Sequence, residues 1–223
     1  MKAFLESLIN VKTTQLLDPG IPLGLYTPVD LSVSNKALNG IHIASPDTCQ
    51  RYIDQVLIRN GAMVAYGGYL EQRNLYSGNA DFESHEERRD IHLGVDFWSE
   101  AGTEVVAPLK GEVHSYQNNA TKGDYGPTII LKHRLRGTIF YTLYGHLSPE
   151  SISELFVGKV FEQGETLATL GTTDVNVNYA PHLHFQLIVD LQGQQGDYPG
   201  VCRASEVDFY QKNCPDPNIL LKM

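Results

Sequence analysis

Apolar and polar positions along this chain follow two different rhythms. Near the start, Phe4, Leu5, Leu8 and Ile9 fall at i, i+1, i+4 and i+5, the spacing of an amphipathic helix packed on its own domain. Between residues 21 and 44, prolines interrupt short β-branched stretches such as GIHIAS, and irregular strands are expected. A second helix is marked at both ends. Ser45-Pro46-Asp47 supplies a capping residue and a first-turn proline, and Gly61 can end the element. Between them Cys49, Tyr52, Ile53, Val56 and Leu57 repeat at i, i+3, i+4, i+7 and i+8. The alternating run AMVAYGGYLEQ that follows reads as a strand. From about residue 89 the texture becomes short runs of Val, Ile, Leu, Tyr and Thr, punctuated by glycines at 94, 102, 111, 123, 126, 137, 145, 158, 164 and 171. That spacing predicts antiparallel sheet with tight turns. GTEVVAPLKGEVHSY and GKVFEQGETLATLG share a loose order of glycine and strand, a hint of paired hairpins.

The pattern predicts a mainly β protein with one core and additions at its ends: an N-terminal α+β extension over 1–88, a core over 89–192 and a C-terminal wrap over 193–223. The tail, with GDYPGVC, a short helix from near Ser205 and NCPDP, is expected to lie over the sheet. At 42% hydrophobic and 19% charged, the 223 residues can bury a sizeable interior. Seventeen Lys and Arg against 26 Asp and Glu give a net charge of −9 with no basic cluster, which argues against nucleic acid and anionic membrane as partners. Glu6 and Asn10 interrupt the first apolar run and no small-residue cleavage site follows it, so a cytoplasmic protein is expected, with secretion or periplasmic export by an unseen route as the alternative. Cys49, Cys202 and Cys214 form no C-x-x-C pair, and free thiols are expected in preference to a Cys202 to Cys214 bridge.

Three polar strand faces carry the candidate chemistry. If residues 91–97 are extended, His92, Gly94 and Asp96 share one side of a sheet while Leu93, Val95 and Phe97 share the other. An imidazole and a carboxylate with glycine between them supply two of the ligand types that Zn²⁺ prefers. In PHLHFQLIV, His182, His184 and Gln186 share a face. Alternate residues stand roughly 7 Å apart, from a rise of about 3.3 Å each, so one histidine can bind a metal while its neighbour reaches an outer or substrate position. In IFYTLYGHLS the strand ends at His146, where a catalytic side chain is readily displayed. His42, His85, His114 and His133 lack such company and read as surface or locally hydrogen-bonded residues.

The segment from about Asp90 to Val189 resembles the lysostaphin and LytM-type zinc endopeptidases, of the duplicated hybrid motif fold. The matching runs are HLGVDFW, GTEVVAPLKGEV, YGPTIILKH, YTLYGHLS, VFEQGETLATLGTT and PHLHFQL, all in family order. The resemblance implies a metallopeptidase with one zinc ion per chain held by His92, Asp96 and His184, with His146 and His182 as catalytic histidines. It implies a peptide or peptidoglycan-fragment substrate, cut by water that the metal activates. Which histidine takes the proton and which stabilises the oxyanion stays open.

The chain departs from the family pattern in TTDVNVNYAPHLH, where Ala180 stands in place of a glycine and Asn176, Asn178 and Tyr179 are expected to build a larger loop over the groove. Some relatives hold themselves inactive with a segment that supplies a ligand to the zinc, and Asn74, Asn79 and His85 are the candidates here. The alternative is that RNLYSGNADF walls the groove, with Tyr76 or Arg73 touching substrate. Two other functions compete: a non-catalytic regulatory or binding domain of the same fold, and a phosphocarrier using paired histidines, in which Asp96 would have no purpose.

Overall fold

The computed structural model describes residues 2–74, 88–121, 123–176 and 179–223. Helix α1 (Lys2–Asn10) presents Phe4 and Leu8 to the interior and leaves Ile9 exposed. A 3₁₀ turn at Leu23–Leu25 leads into strand β1 (Tyr26–Pro28), and another at Lys36–Leu38 precedes helix α2 (Pro46–Asn60). The expected strands of 21–44 reduce to β1. In GIHIAS the amides of Ile41, Ile43 and Ser45 donate to Leu38, Ile41 and His42, so local turns consume the donors a ladder would need. Helix α2 buries Cys49 and Ile53 and ends at Gly61, as its spacing predicts. The strand expected over 62–72 is shorter, β2 (Val64–Gly67), because Gly68 leaves the extended region at φ +111°.

The remaining elements are β3 (Arg89–His92), β4 (Val95–Trp98), β5 (Glu104–Val106), β6 (Gly111–Asn119), β7 (Gly126–Leu135), β8 (Thr138–Gly145), α3 (Glu150–Ser153), β9 (Val160–Phe161), β10 (Thr166–Thr169), β11 (His182–Ile188), β12 (Val201–Arg203), α4 (Val207–Asn213) and α5 (Asn218–Leu221). Eight strands form one sheet in the order β1-β2-β4-β11-β8-β7-β6-β9. Its neighbours are antiparallel except β1 and β2, which run parallel. The two glycine-punctuated segments pair with each other, β6 with β9 in the large sheet and β5 with β10 in a small one. β3 and β12 form a second small sheet.

One face of the large sheet carries Val95, Phe97, Leu183, Phe185, Leu187, Tyr144, Ile129 and Leu131 into the main core, which α1, Leu16, Leu17 and Leu220 close. The other face carries Ile130, Leu143 and Ile188, covered by Leu191, Tyr198 and Cys214. The C-terminal segment therefore lies over the sheet, and all three cysteines are buried free thiols. No helix among the described residues is long and apolar enough to cross a membrane.

Of the two readings left open for His133, surface or locally hydrogen-bonded, the second holds. It is 3% exposed on β7, with Nδ1 2.9 Å from the Lys110 carbonyl, Nε2 2.7 Å from Thr142 Oγ1, and its face stacked on Phe140. Burial pushes this imidazole down to about 4, although the Lys110 carbonyl favours the protonated ring. The folded state thus holds the ring neutral where the unfolded chain, titrating near the ordinary value of about 6.5, takes up a proton. That contribution to stability is complete above about pH 6.5 and is lost as pH falls toward 4. Urea unfolding should show about 2 kcal/mol lost between pH 7 and 5 from this group. His133→Gln should show a shallower decline than wild type, and an equal slope in both would refute the assignment.

Candidate metal centre

Strand β11 lies between β4 and β8, and its register fixes the site. His184 stands opposite Asp96 on one neighbour and opposite Gly145 on the other. His92 arrives differently from the sequence expectation. Residues 91–97 are two strands in different sheets, β3 and β4, joined through a bend at Leu93 and Gly94, so the bend and not alternation brings His92 to Asp96. Gly94 permits this by its size. A Cβ there would lie 2.6 Å from the Phe185 carbonyl oxygen and 2.7 Å from His184 Cε1, so the imidazole occupies space that any side chain would need.

His92 Nε2, His184 Nδ1 and Asp96 Oδ1 converge, with separations of 2.9 Å between the two nitrogens and 3.2 and 3.1 Å from each to the oxygen. The outer hydrogen bonds decide the tautomers. His92 Nδ1 lies 3.0 Å from the Gly68 carbonyl and must donate to it. His184 Nε2 lies 3.0 Å from Gln186 Oε1, and the orientation of that amide is set by its Nε2 donating to the Pro199 carbonyl at 3.1 Å. With both outer nitrogens protonated, the two inner nitrogens carry lone pairs. Two lone pairs and a carboxylate oxygen thus face one point with no hydrogen among them, an arrangement that requires a cation or a shared proton. A divalent ion bonded at about 2.0–2.1 Å places tetrahedral ligand atoms about 3.3 Å apart. The observed separations fit such an ion, and the three residues form the group of histidine and carboxylate side chains that could hold a metal ion among the described residues.

The electrostatics agree. Burial, followed by the Arg73 charge, pushes His92 down to about 4. Burial opposes ionisation of Asp96, yet the neighbouring His92 ring and the Arg73 guanidinium hold its carboxyl well below the usual range. Arg73 Nη1 donates to Asp96 Oδ2 at 2.6 Å, leaving Oδ1 to the converging nitrogens. Arg73 is 2% exposed, so it grips the carboxylate inside the protein and does not wall a groove for substrate. Asn74 lies apart from the cluster, on a cavity lined also by Leu31, Asn35 and His42. Asn79, His85 and Tyr76 lie outside the described residues.

His146 and His182 pack against each other beside this cluster, with ring centroids 4.3 Å apart and the ring planes tilted by 42°. His146 follows the last residue of β8 in the left-handed region, φ +62°, its amide donating to the Tyr125 carbonyl at 2.7 Å. Its Nδ1 is buried with no hydrogen-bond partner among the described residues. His182 Nδ1 donates to the Ala180 carbonyl at 2.8 Å, which also accepts from Asn176 Nδ2 at 2.9 Å. The His182 ring stacks on Trp98 at 5.7 Å. Burial lowers the pKa of both histidines, so each ring is neutral near pH 7.

Four contributors were missed in the sequence or given other roles there. Asn176, expected in a loop over the groove, is fully buried and helps to hold the Ala180 carbonyl that His182 uses. Tyr125 packs its ring 4.9 Å from His184 and 5.7 Å from His146, where a Cβ on Gly200 would lie 1.9 Å from its hydroxyl. Gly68 and Arg73 belong to the N-terminal region. The tight YG and GG pairs around these positions were the available signal.

Gly94→Ala should therefore destabilise the fold by about 1–3 kcal/mol, through contact with the Phe185 carbonyl, and should displace the His184 ring. Urea unfolding and the His184 ring resonances test both effects, and an unperturbed ring would refute the packing argument.

The chain is similar to several known proteins. A protein of Haemophilus influenzae named as an uncharacterized metalloprotease is 33% identical over 99 residues, 44% of this chain and 19% of that protein. The chain thus spans about a fifth of that relative's length. The catalytic domain of the antimicrobial peptidase lysostaphin from Staphylococcus simulans is 25% identical, over 71% of this chain and 89% of that domain, with a TM-score of 0.44. A peptidase M23 structure from Pseudomonas aeruginosa is 21% identical over 58% of this chain and 43% of that one, with a TM-score of 0.38. Residues 90–197, which hold all five histidine and aspartate positions of the site, match the model of Peptidase family M23.

Proposed function

We propose that this protein is a zinc-dependent peptidase that hydrolyses an amide bond in a peptide or a peptidoglycan-type peptide fragment. In this reading His92, Asp96 and His184 hold one zinc ion, and His182 and His146 act on protons beside it. The observation that carries the reading is the buried convergence of two imidazole lone pairs and one carboxylate oxygen next to a second, closely packed imidazole pair. Three protein ligands are the complement of a catalytic zinc site, which keeps its fourth position for water or substrate.

When bound, zinc supplies Lewis acidity, which acidifies water and polarises a carbonyl oxygen. The other work falls to the chain. Because His182 donates through Nδ1 to Ala180, its Nε2 carries the lone pair and serves as proton acceptor. Trp98 and Asn176 hold the ring system in place, so the acceptor is oriented before substrate arrives. His146, packed beside His182, donates a hydrogen bond to the developing oxyanion, and the proton taken up by His182 returns from that ring to the departing amine. A neutral ring suits His182, since a ring already charged at pH 7 could not accept a proton.

Metal analysis and amine release from oligoglycine, cross-linked muropeptides and simple dipeptides test the proposal. His184→Ala should lose both stoichiometric zinc and hydrolysis. His182→Ala should keep one zinc per chain and lose activity by about 10²–10⁴-fold. Full activity in His182→Ala would remove it from the mechanism. Wild-type protein without stoichiometric metal or turnover would favour a domain that acts by contact alone.

A further inference from the structure

We infer that the turn from Gly67 to Arg73, upstream of the family-matched segment, is the outer half of the metal centre, with Arg73 as the positioning residue for Asp96. The inference rests on the reading above that Asp96 is a metal ligand.

The chain clasps this turn to both ligand-bearing strands. Gly67 pairs opposite Asp96 on β4. The backbone then reverses through Gly68 and Leu70, at φ +111° and +55°, and runs back along β3. There Leu70 donates to the His92 carbonyl, His92 to the Glu71 carbonyl and Arg73 to the Asp90 carbonyl, each at 2.9 Å. The turn is thereby registered against His92 and Asp96 at once.

Its polar groups at Gly68, Arg73 and Glu71 act on the ligands, directly or through one another. The Gly68 carbonyl holds the His92 tautomer. Arg73 Nη1 occupies Asp96 Oδ2, so the carboxylate cannot rotate and offers Oδ1 alone. A bare guanidinium so close would repel a metal cation. Glu71 removes that objection, because its Oε2 accepts from Arg73 Nε at 2.8 Å and makes the clamp neutral overall. Only arginine can serve two carboxylates in this way, through donors held in a rigid plane. The guanidinium also lies 5.7 Å over Trp98, the ring on which His182 stacks. Gly68 leaves the necessary space, since a Cβ there would sit 1.9 Å from Arg73 Nη2 and 2.9 Å from His92 Nδ1.

The test is Zn²⁺ affinity by competition with a chromophoric chelator, with thermal melting of the metal-free protein as the check on folding. Arg73→Gln should bind Zn²⁺ about 10–100-fold more weakly than wild type. Arg73→Lys should recover part of the loss, as a point charge that reaches one carboxylate. Glu71→Gln, at a partly exposed position, should fold normally and weaken Zn²⁺ by a smaller factor, about threefold to tenfold. A folded Arg73→Gln protein with wild-type affinity would overturn the inference and leave the metal site standing. If Arg73→Gln does not fold, wild-type affinity in Glu71→Gln overturns it instead. Wild-type protein that binds no Zn²⁺ would overturn the metal reading and this inference together.

Discussion

An ionised carboxylate that is 2% exposed is the constraint on which this molecule turns. Moving such a charge out of water costs several kcal/mol, and the cost is met only where opposite charge and hydrogen bonds surround it. Asp96 receives both from Arg73 on Oδ2, while its Oδ1 faces the two imidazole nitrogens. Removing one partner of a buried pair costs about 3–5 kcal/mol, because the other charge is left uncompensated. The same arrangement that could hold a cation therefore also ties the fold to its site.

The consequences reach the N-terminal region. Arg73 can meet Asp96 only if β2 joins the large sheet beside β4, and the register that does this sets Gly67 opposite Asp96. β1 then extends the same sheet, while Phe4 and Leu8 of α1 enter the main core, Phe4 packing on Phe140 at 5.4 Å. The opposite face is closed by the C-terminal segment through Tyr198 and Cys214. Core burial alone would accept many helices in place of α1. The ion pair would not accept another residue in place of Arg73.

The pairing of imidazoles on β11 was legible from the sequence because alternation is a local property of one strand. His184 and Gln186 do share a face, and the apolar partners Leu183, Phe185 and Leu187 do lie in the core. The H-x-G-x-D run misled on geometry, since the same local rule was applied across a bend that only a non-local contact explains. Gly94 is bent because His184, ninety positions further along the chain, fills the space beside it. Arg73 and Asn176 were given groove roles for a related reason. Nothing in their own neighbourhoods states which distant carboxylate or carbonyl they meet.

The orientation of the ligands follows a common rule that no local pattern reveals. The His92 tautomer depends on the Gly68 carbonyl, and Asp96 depends on Arg73. His184 depends on Gln186, whose own amide is oriented by the Pro199 carbonyl and packs against Cys214 Sγ at 3.2 Å. Gly68, Arg73 and Pro199 all lie outside residues 90–197. The family-matched segment thus carries the ligand atoms, while the flanking segments decide which atom of each ligand faces inward. A histidine whose wrong nitrogen carried the proton would present a hydrogen to the cation in place of a lone pair. The flanks accordingly belong to the chemistry of the centre as well as to its stability.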